Sequence, residues 1–170
     1  MPTFVALLRA VNVGGTGKLP MSELKAMCER AGFTSVRTFI ASGNVVFDSD
    51  GNEASVKASL ENALLDYAGK PVQVLVRSGP ELAAVLANNP FPQAAPNRTI
   101  ALFLDGAPPA DTLATLSAKN NEEVALGKRE IYVHYGDGMG DSKLKIRAAA
   151  EGTGRNLNTI AKLAQMAQAD

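Results

Sequence analysis

Apolar positions along the chain switch between two spacings. "TFVALLRAV" (3–11) is a near-continuous apolar run broken only by Arg9, the pattern of a largely buried strand. A helical period follows. Leu24, Met27, Cys28 and Ala31 fall at i, i+3, i+4 and i+7, which predicts a helix over about 21–31 closed by Gly32. "SVRTFIA" (35–41) and "NVVFDS" (44–49) predict two strands around a tight turn at Ser42-Gly43. Val56, Leu60, Leu64 and Tyr67 form one stripe of a helix over about 53–67, and "VQVLV" (72–76) predicts a fourth strand. The order βαββαβ is that of a ferredoxin-like half.

A short helix at 80–88 leads to "NPFPQAAPN" (89–97), the most proline-rich segment of the chain. Such a segment is expected to act as a linker or hinge. Beyond it the pattern predicts a strand at 99–104 and a helix at 109–120 with Leu113 and Leu116 facing inward. A hairpin follows, with strands at 123–126 and 130–135 across Gly127-Lys128. One helix is then expected from about Ser142, although "SKLKIR" also alternates with strand period. A last helix is expected from about Asn156, with Leu157, Ile160, Ala161 and Ala164 on one face. The second half therefore reads βαββα plus a C-terminal helix, matching the first five elements of the first half in order without a matching sequence. The expected architecture is α+β in two small lobes, residues 1–88 and 98–170, joined at 89–97.

Composition narrows the function classes. The 170 residues suffice for a real core, and 46% are hydrophobic. Lys plus Arg is 17 and Asp plus Glu is 17, so the formal net charge is zero. That argues against a dedicated, charge-driven nucleic-acid binder. A local basic patch stays open: Lys143, Lys145, Arg147, Arg155 and Lys162 face only Glu151 among nearby acids. A single cysteine excludes an internal disulfide and a cysteine-rich zinc site. The N-terminus has no basic leader, and Arg9 interrupts its short apolar run, so neither a signal peptide nor a membrane span is expected. Cytoplasmic residence is the resulting expectation.

The stretch "LLRAVNVGGTGKLPM" (7–21) carries the first candidate chemistry. A P-loop needs G-x-x-x-x-G-K-[ST]. Asn12 stands where the first glycine belongs and Leu19 where the hydroxyl belongs, so that motif fails. The dinucleotide pattern G-x-G-x-x-G also fails, because Pro20 follows Gly15 and Gly17 at the third position. Gly14, Gly15 and Gly17 can still form an anion-binding nest of inward N–H groups beside Lys18, or simply a surface turn. Ferredoxin-like topology puts the carboxyl end of the first strand on the same sheet edge as the turn joining the second and third strands. Arg9, Asn12 and the Gly14–Lys18 loop are therefore expected beside Ser42, Gly43 and Asn44. Arg9 alternates with Val5 and Leu7, so a partly buried stem is expected. Its partner would be an internal carboxylate or an anionic ligand.

The segments "LLRAVNVGGTGKLPMSELK", "TFIASGNVVF", "NPF", "GDGMGDSKL" and "GTGRNLNT" occur in this order. Together they resemble the bacterial domain of unknown function 1697 family over nearly the whole chain. The resemblance implies two α/β lobes and no established activity. It marks Arg9, Asn12, Gly14, Gly15, Lys18 and Met21, then Ser42, Gly43 and Asn44. It further marks Ser142, Lys143, Arg155, Asn156, Asn158 and Thr159. The chain departs from the family pattern at Ala10, Ala41 and Leu157, where glycine, glutamine and tryptophan are usual.

The other reactive residues read mainly as structure. His134 has no second histidine with which to share a metal, and Cys28 lies on an apolar helical stripe. Asp137 and Asp141 flank a glycine-rich loop, but Met139 and Ala148 occupy calcium-ligand positions of an EF-hand. Ser142 reads as a helix cap, with Lys143 exposed. Arg155, Asn156, Asn158 and Thr159 crowd the start of the last helix, where free N–H groups and an arginine suit a phosphate or carboxylate. The expectation is a protein that binds an anionic, phosphate-bearing small ligand, with no metal and no cofactor named by any motif. A nucleic-acid-binding or protein-interaction module is the alternative. Catalysis and oligomeric state are left open.

Overall fold

A computed structural model of the chain describes residues 2–9, 19–40, 43–117, 119, 122–135, 144–149 and 152–168. The fold is α+β: two four-stranded antiparallel sheets and four α-helices among the described residues. The chain forms two compact units, Met1–Leu82 with Leu163–Asp170, and Ala83–Lys162. No helix among the described residues is long and apolar enough to cross a membrane.

The first unit holds β1 (Thr3–Leu8), α1 (Met21–Arg30), β2 (Thr34–Thr38), β3 (Asn44–Asp48), α2 (Glu53–Ala68), β4 (Val74–Ser78) and the start of α3 (Gly79–Ala87). Strand order is β2-β3-β1-β4, every pair antiparallel, which is the ferredoxin-like arrangement. Helix α1 buries Leu24, Met27 and Cys28, as its apolar stripe requires. Helix α2 opens on a capping box in which Asn52 accepts from the Ser55 N–H, and the Ser55 hydroxyl accepts from the Asn52 N–H. One sheet face presents Phe4, Ala6, Leu8, Val45, Phe47, Val74 and Val76 to the core shared with Leu24, Met27, Val56, Leu60 and Leu64. Phe33 stacks on Phe47 with ring centroids 4.3 Å apart. The opposite face, with Val5, Leu7, Val46 and Leu75, is also fully buried. Burial of both faces explains why the first strand reads as a continuous apolar run rather than an alternating one.

The free edge of β4 is closed by side chains of α2. Glu61 Oε2 accepts from the Val74 N–H at 3.0 Å, and Lys57 Nζ donates to the Val74 carbonyl at 2.5 Å. The same two side chains form an i,i+4 ion pair at 3.0 Å. A lysine and a glutamate one turn apart thus stand in for a neighbouring strand. At the other edge, Arg37 of β2 donates Nη1 to the carbonyl of Met166 at 2.8 Å, placing a cation at a helix C-terminus.

The second unit holds the end of α3, β5 (Thr99–Phe103), β6 (Glu123–Leu126), β7 (Glu130–His134), β8 (Thr153–Asn156) and the first turns of α4 (Leu157–Met166). Its strand order, β6-β7-β5-β8, is that of the first sheet position for position. Residues 89–97 lie within this unit and end in a 3-10 turn at Pro96–Arg98.

Three local expectations differ from what is observed. The helix expected over 109–120 is a single 3-10 turn at Leu113–Thr115. The Thr112 hydroxyl donates to the Pro109 carbonyl at 2.6 Å and the Thr115 hydroxyl to those of Asp111 and Thr112, so side chains compete with helical bonding. Leu113, expected inward, is exposed. From 144 to 149 the chain is not α-helical. Lys145 bridges to Ser117, while Leu144 and Ile146 pack beside Ile131 and Val133, so the strand period of this segment prevails. Finally, β8 occupies the residues read as the approach to the last helix. It pairs with β5 through Ile100–Asn156, Ala101–Arg155, Leu102–Gly154 and Phe103–Thr153.

Candidate functional site

The ladder of β1 gathers three chain segments at one sheet edge. Leu8 N–H donates to the Gly43 carbonyl at 2.9 Å, towards β3, and Arg9 N–H donates to the Gln73 carbonyl at 2.9 Å, towards β4. Consecutive residues thus tie the β2–β3 turn and the entry to β4 to the point where β1 ends. Gly43 sits at φ +89°, a conformation that glycine takes without steric cost. Asn44 is fully buried. Its side-chain amide donates to the Phe39 carbonyl at 3.0 Å, while its own carbonyl accepts from the Phe39 N–H at 3.0 Å. The residue therefore holds the turn closed from inside rather than presenting its amide to solvent. Ile40, in the same turn, is half-exposed and held at φ +54°. A β-branched residue there is strained.

Arg9 stands one residue beyond β1 and is exposed. The partly buried stem expected from its alternation with Val5 and Leu7 is not found. The chain leaves the sheet at Leu8, so the alternation stops one residue short. The sequence-predicted residues Asn12, Gly14, Gly15, Lys18 and Ser42, and with them Ser142 and Lys143, lie outside the described residues. Residues 10–18 connect Arg9 on this edge to Leu19, which is buried in the core of the first unit.

The second cluster belongs to the other unit. Asn156 accepts from the Thr159 N–H through Oδ1 at 2.9 Å, capping α4. Asn158 is exposed and Thr159 half-buried. Arg155 is buried, and its Nη1 donates to Thr153 Oγ1 and to the Gly154 carbonyl, both at 2.8 Å. Burial pushes its guanidinium down to about 10 from its ordinary range. The structure thus brings Arg9, Gly43 and Asn44 to one edge, and gives Arg155 and Asn156 bonds within their own strand–helix junction.

Sequence reasoning missed Gln73 and Ile40 at the first edge. The glutamine carries no motif signal because its main chain makes the contact. Two clefts elsewhere also went unread. One of about 560 Å³ is lined by Glu23, Arg30, Ala63, Asp66 and Tyr67 of α1 and α2. One of about 220 Å³ is lined by residues including Leu104, Asp105, Ala148 and Gly152.

The remaining candidates have structural surroundings. Burial, with Glu29 nearby, pushes the Cys28 thiol up to about 12. His134 Nδ1 lies 3.7 Å from Glu123 Oε1, and its ring lies 6.1 Å from that of Phe91. Among the described residues no group of three or more His, Cys, Asp or Glu side chains could hold a metal ion. Phe47, the one aromatic of "NVVFDS", is buried and stacked on Phe33, which takes it away from any base-stacking surface.

Known proteins give the chain a place without giving it a reaction. No curated protein matches it. The solved structure of a conserved bacterial protein from Streptococcus pneumoniae is similar, with a TM-score of 0.81 and 26% identity over 98% of this chain and 99% of that one. Residues 1–132 match the family described as Protein of unknown function (DUF1697), and the chain belongs to that family.

Proposed function

We propose that the chain binds a small anionic, phosphate-bearing ligand at the first-unit edge where β1 ends. The observation supporting this reading is the pair of consecutive main-chain bonds, Leu8 to Gly43 and Arg9 to Gln73, which gathers that edge around an exposed arginine. The sequence that follows Arg9 carries Gly14, Gly15, Gly17 and Lys18, residue types that form anion-binding nests. The strained Ile40 beside the turn fits a site that stores conformational energy. Binding is the whole of the proposed activity, in a cytoplasmic setting, and no reaction step is assigned.

The test is a thermal-shift comparison of sulfate and phosphate with chloride at equal ionic strength. Site-specific binding raises the melting temperature further in the two oxyanions, and Arg9→Ala removes the difference while leaving the chloride value near wild type. Equal shifts in all three salts would reduce the effect to general salting and end this reading.

A further inference from the structure

The two sheets correspond beyond strand order. Aligning Val5 with Ala101 brings Val46 onto Tyr132 and Arg77 onto Arg155 across the paired strands. The bonds at the sheet margins then coincide. Leu8 N–H to Gly43 matches Leu104 N–H to Arg129, and Ser49 N–H to Pro2 matches Tyr135 N–H to Arg98. Each fourth strand runs straight into a helix whose first turn is capped by the residue after the arginine. Ser78 Oγ accepts from the Glu81 N–H, and Asn156 Oδ1 accepts from the Thr159 N–H.

The ladder fixes which main-chain groups face outward. Leu8 and Leu104 point their N–H groups away from the fourth strands, so Val5 and Leu7 in one sheet, and Ala101 and Phe103 in the other, bond to them. Val76 and Gly154 therefore turn their carbonyls away from the sheet, where no strand among the described residues receives them. In both cases the next residue supplies the donor. Arg77 Nη1 donates to the Val76 carbonyl at 3.0 Å, and Arg155 Nη1 to the Gly154 carbonyl at 2.8 Å. Both arginines are almost fully buried, at 1% and 8% exposure. The first of these edges is buried and the second partly so, and a carbonyl withdrawn from water needs such a partner.

We infer that the two units repeat one design, and that Arg77 and Arg155 are the same device used twice: a buried guanidinium folded back onto the outward carbonyl of its fourth strand. The glycines of "GTGRNLNT" fit the same assignment. A Cβ on Gly152 would lie 2.5 Å from the Phe103 carbonyl oxygen, and one on Gly154 2.9 Å from side-chain atoms of Ile100 and Leu102. That motif is then a strand–helix junction, and Arg155 serves the fold rather than a ligand. The inference is independent of whether the first-unit edge binds an anion.

The test replaces each arginine by methionine in the full chain. If burial alone mattered, an apolar side chain of similar length would be neutral or stabilising, because it removes a buried charge. Carbonyl satisfaction demands the opposite. Arg77→Met and Arg155→Met each lower the melting midpoint by about 5 °C or more and speed amide exchange in β4 or β8. Arg→Lys at the same positions, which keeps a donor, falls between wild type and Met, and carries the test if a Met variant does not fold. Sulfate-specific stabilisation, where wild type shows it, survives in every folded variant. Met variants as stable as wild type would overturn the inference. So would an Arg155→Met protein that keeps its stability but loses the sulfate response.

Discussion

Replacing Asn44 by alanine separates scaffold from ligand contact at the first-unit edge. As a ligand-facing turn residue, Asn44 would be expected to tolerate truncation within about 0.5 kcal/mol. The structure sets a different magnitude. The side chain has no exposure, and its amide donates to the Phe39 carbonyl at 3.0 Å. Alanine removes that donor from a buried site, and a buried acceptor losing its partner costs about 1–3 kcal/mol. The main-chain bond from Phe39 N–H to the Asn44 carbonyl remains, which keeps the turn from opening outright. The small void left by the amide adds to the cost, so about 1.5–3 kcal/mol is expected. For a chain of this size that lowers the melting temperature by roughly 3–12 °C. Urea unfolding measures it as a lower midpoint at unchanged m-value. A cost under about 0.5 kcal/mol, together with loss of the oxyanion-specific shift, would refute the scaffold role and return Asn44 to the ligand.

Two further predictions concern the first unit. Glu61→Ala should destabilise by about 1 kcal/mol in urea unfolding, since it removes the acceptor of Val74 N–H and a partly exposed ion pair of small value; an unchanged midpoint would show that the β4 edge does not need its side-chain cover. The Cys28 thiol is raised in the folded protein to about 12, against about 8.5 in an unfolded chain. Its proton is held more tightly when folded, so its contribution is complete below about pH 8.5 and is lost as pH rises towards 12. Cys28→Ala should flatten the alkaline loss of stability relative to wild type, and the native thiol should resist a thiol reagent until unfolding. Rapid labelling at neutral pH would show that this helix face is open.

Elements whose signal was periodic were legible in the sequence. The stripe of Leu24, Met27 and Cys28 is buried as its spacing demands, and Gly43, expected in the turn between β2 and β3, stands there at positive φ. The second unit was harder because its elements owe more to tertiary pairing than to propensity. "TGRN" has no strand character of its own, yet β5 recruits it as an edge strand. The leucines near 113 suggested a helix, but threonine hydroxyls bonding backward captured the carbonyls that a helix needs. At the candidate site, the glycine of the turn could be read from its residue type. The roles of Asn44 and Gln73 could not, because both depend on main-chain partners distant in sequence or on burial that a turn motif does not announce.

The contact between Arg37 and the Met166 carbonyl sets an order on synthesis. Leu163–Asp170 belong to the same compact unit as residues near the N-terminus, with the whole of Ala83–Lys162 in between. A ribosome adding about 5–20 residues per second needs roughly 4–16 s to cross that interval. During that time β2 carries a guanidinium whose helix end has not been made. All residues of the second unit are therefore made before the closing segment of the first, and a stall just after residue 162 leaves the first unit, not the second, without its last segment.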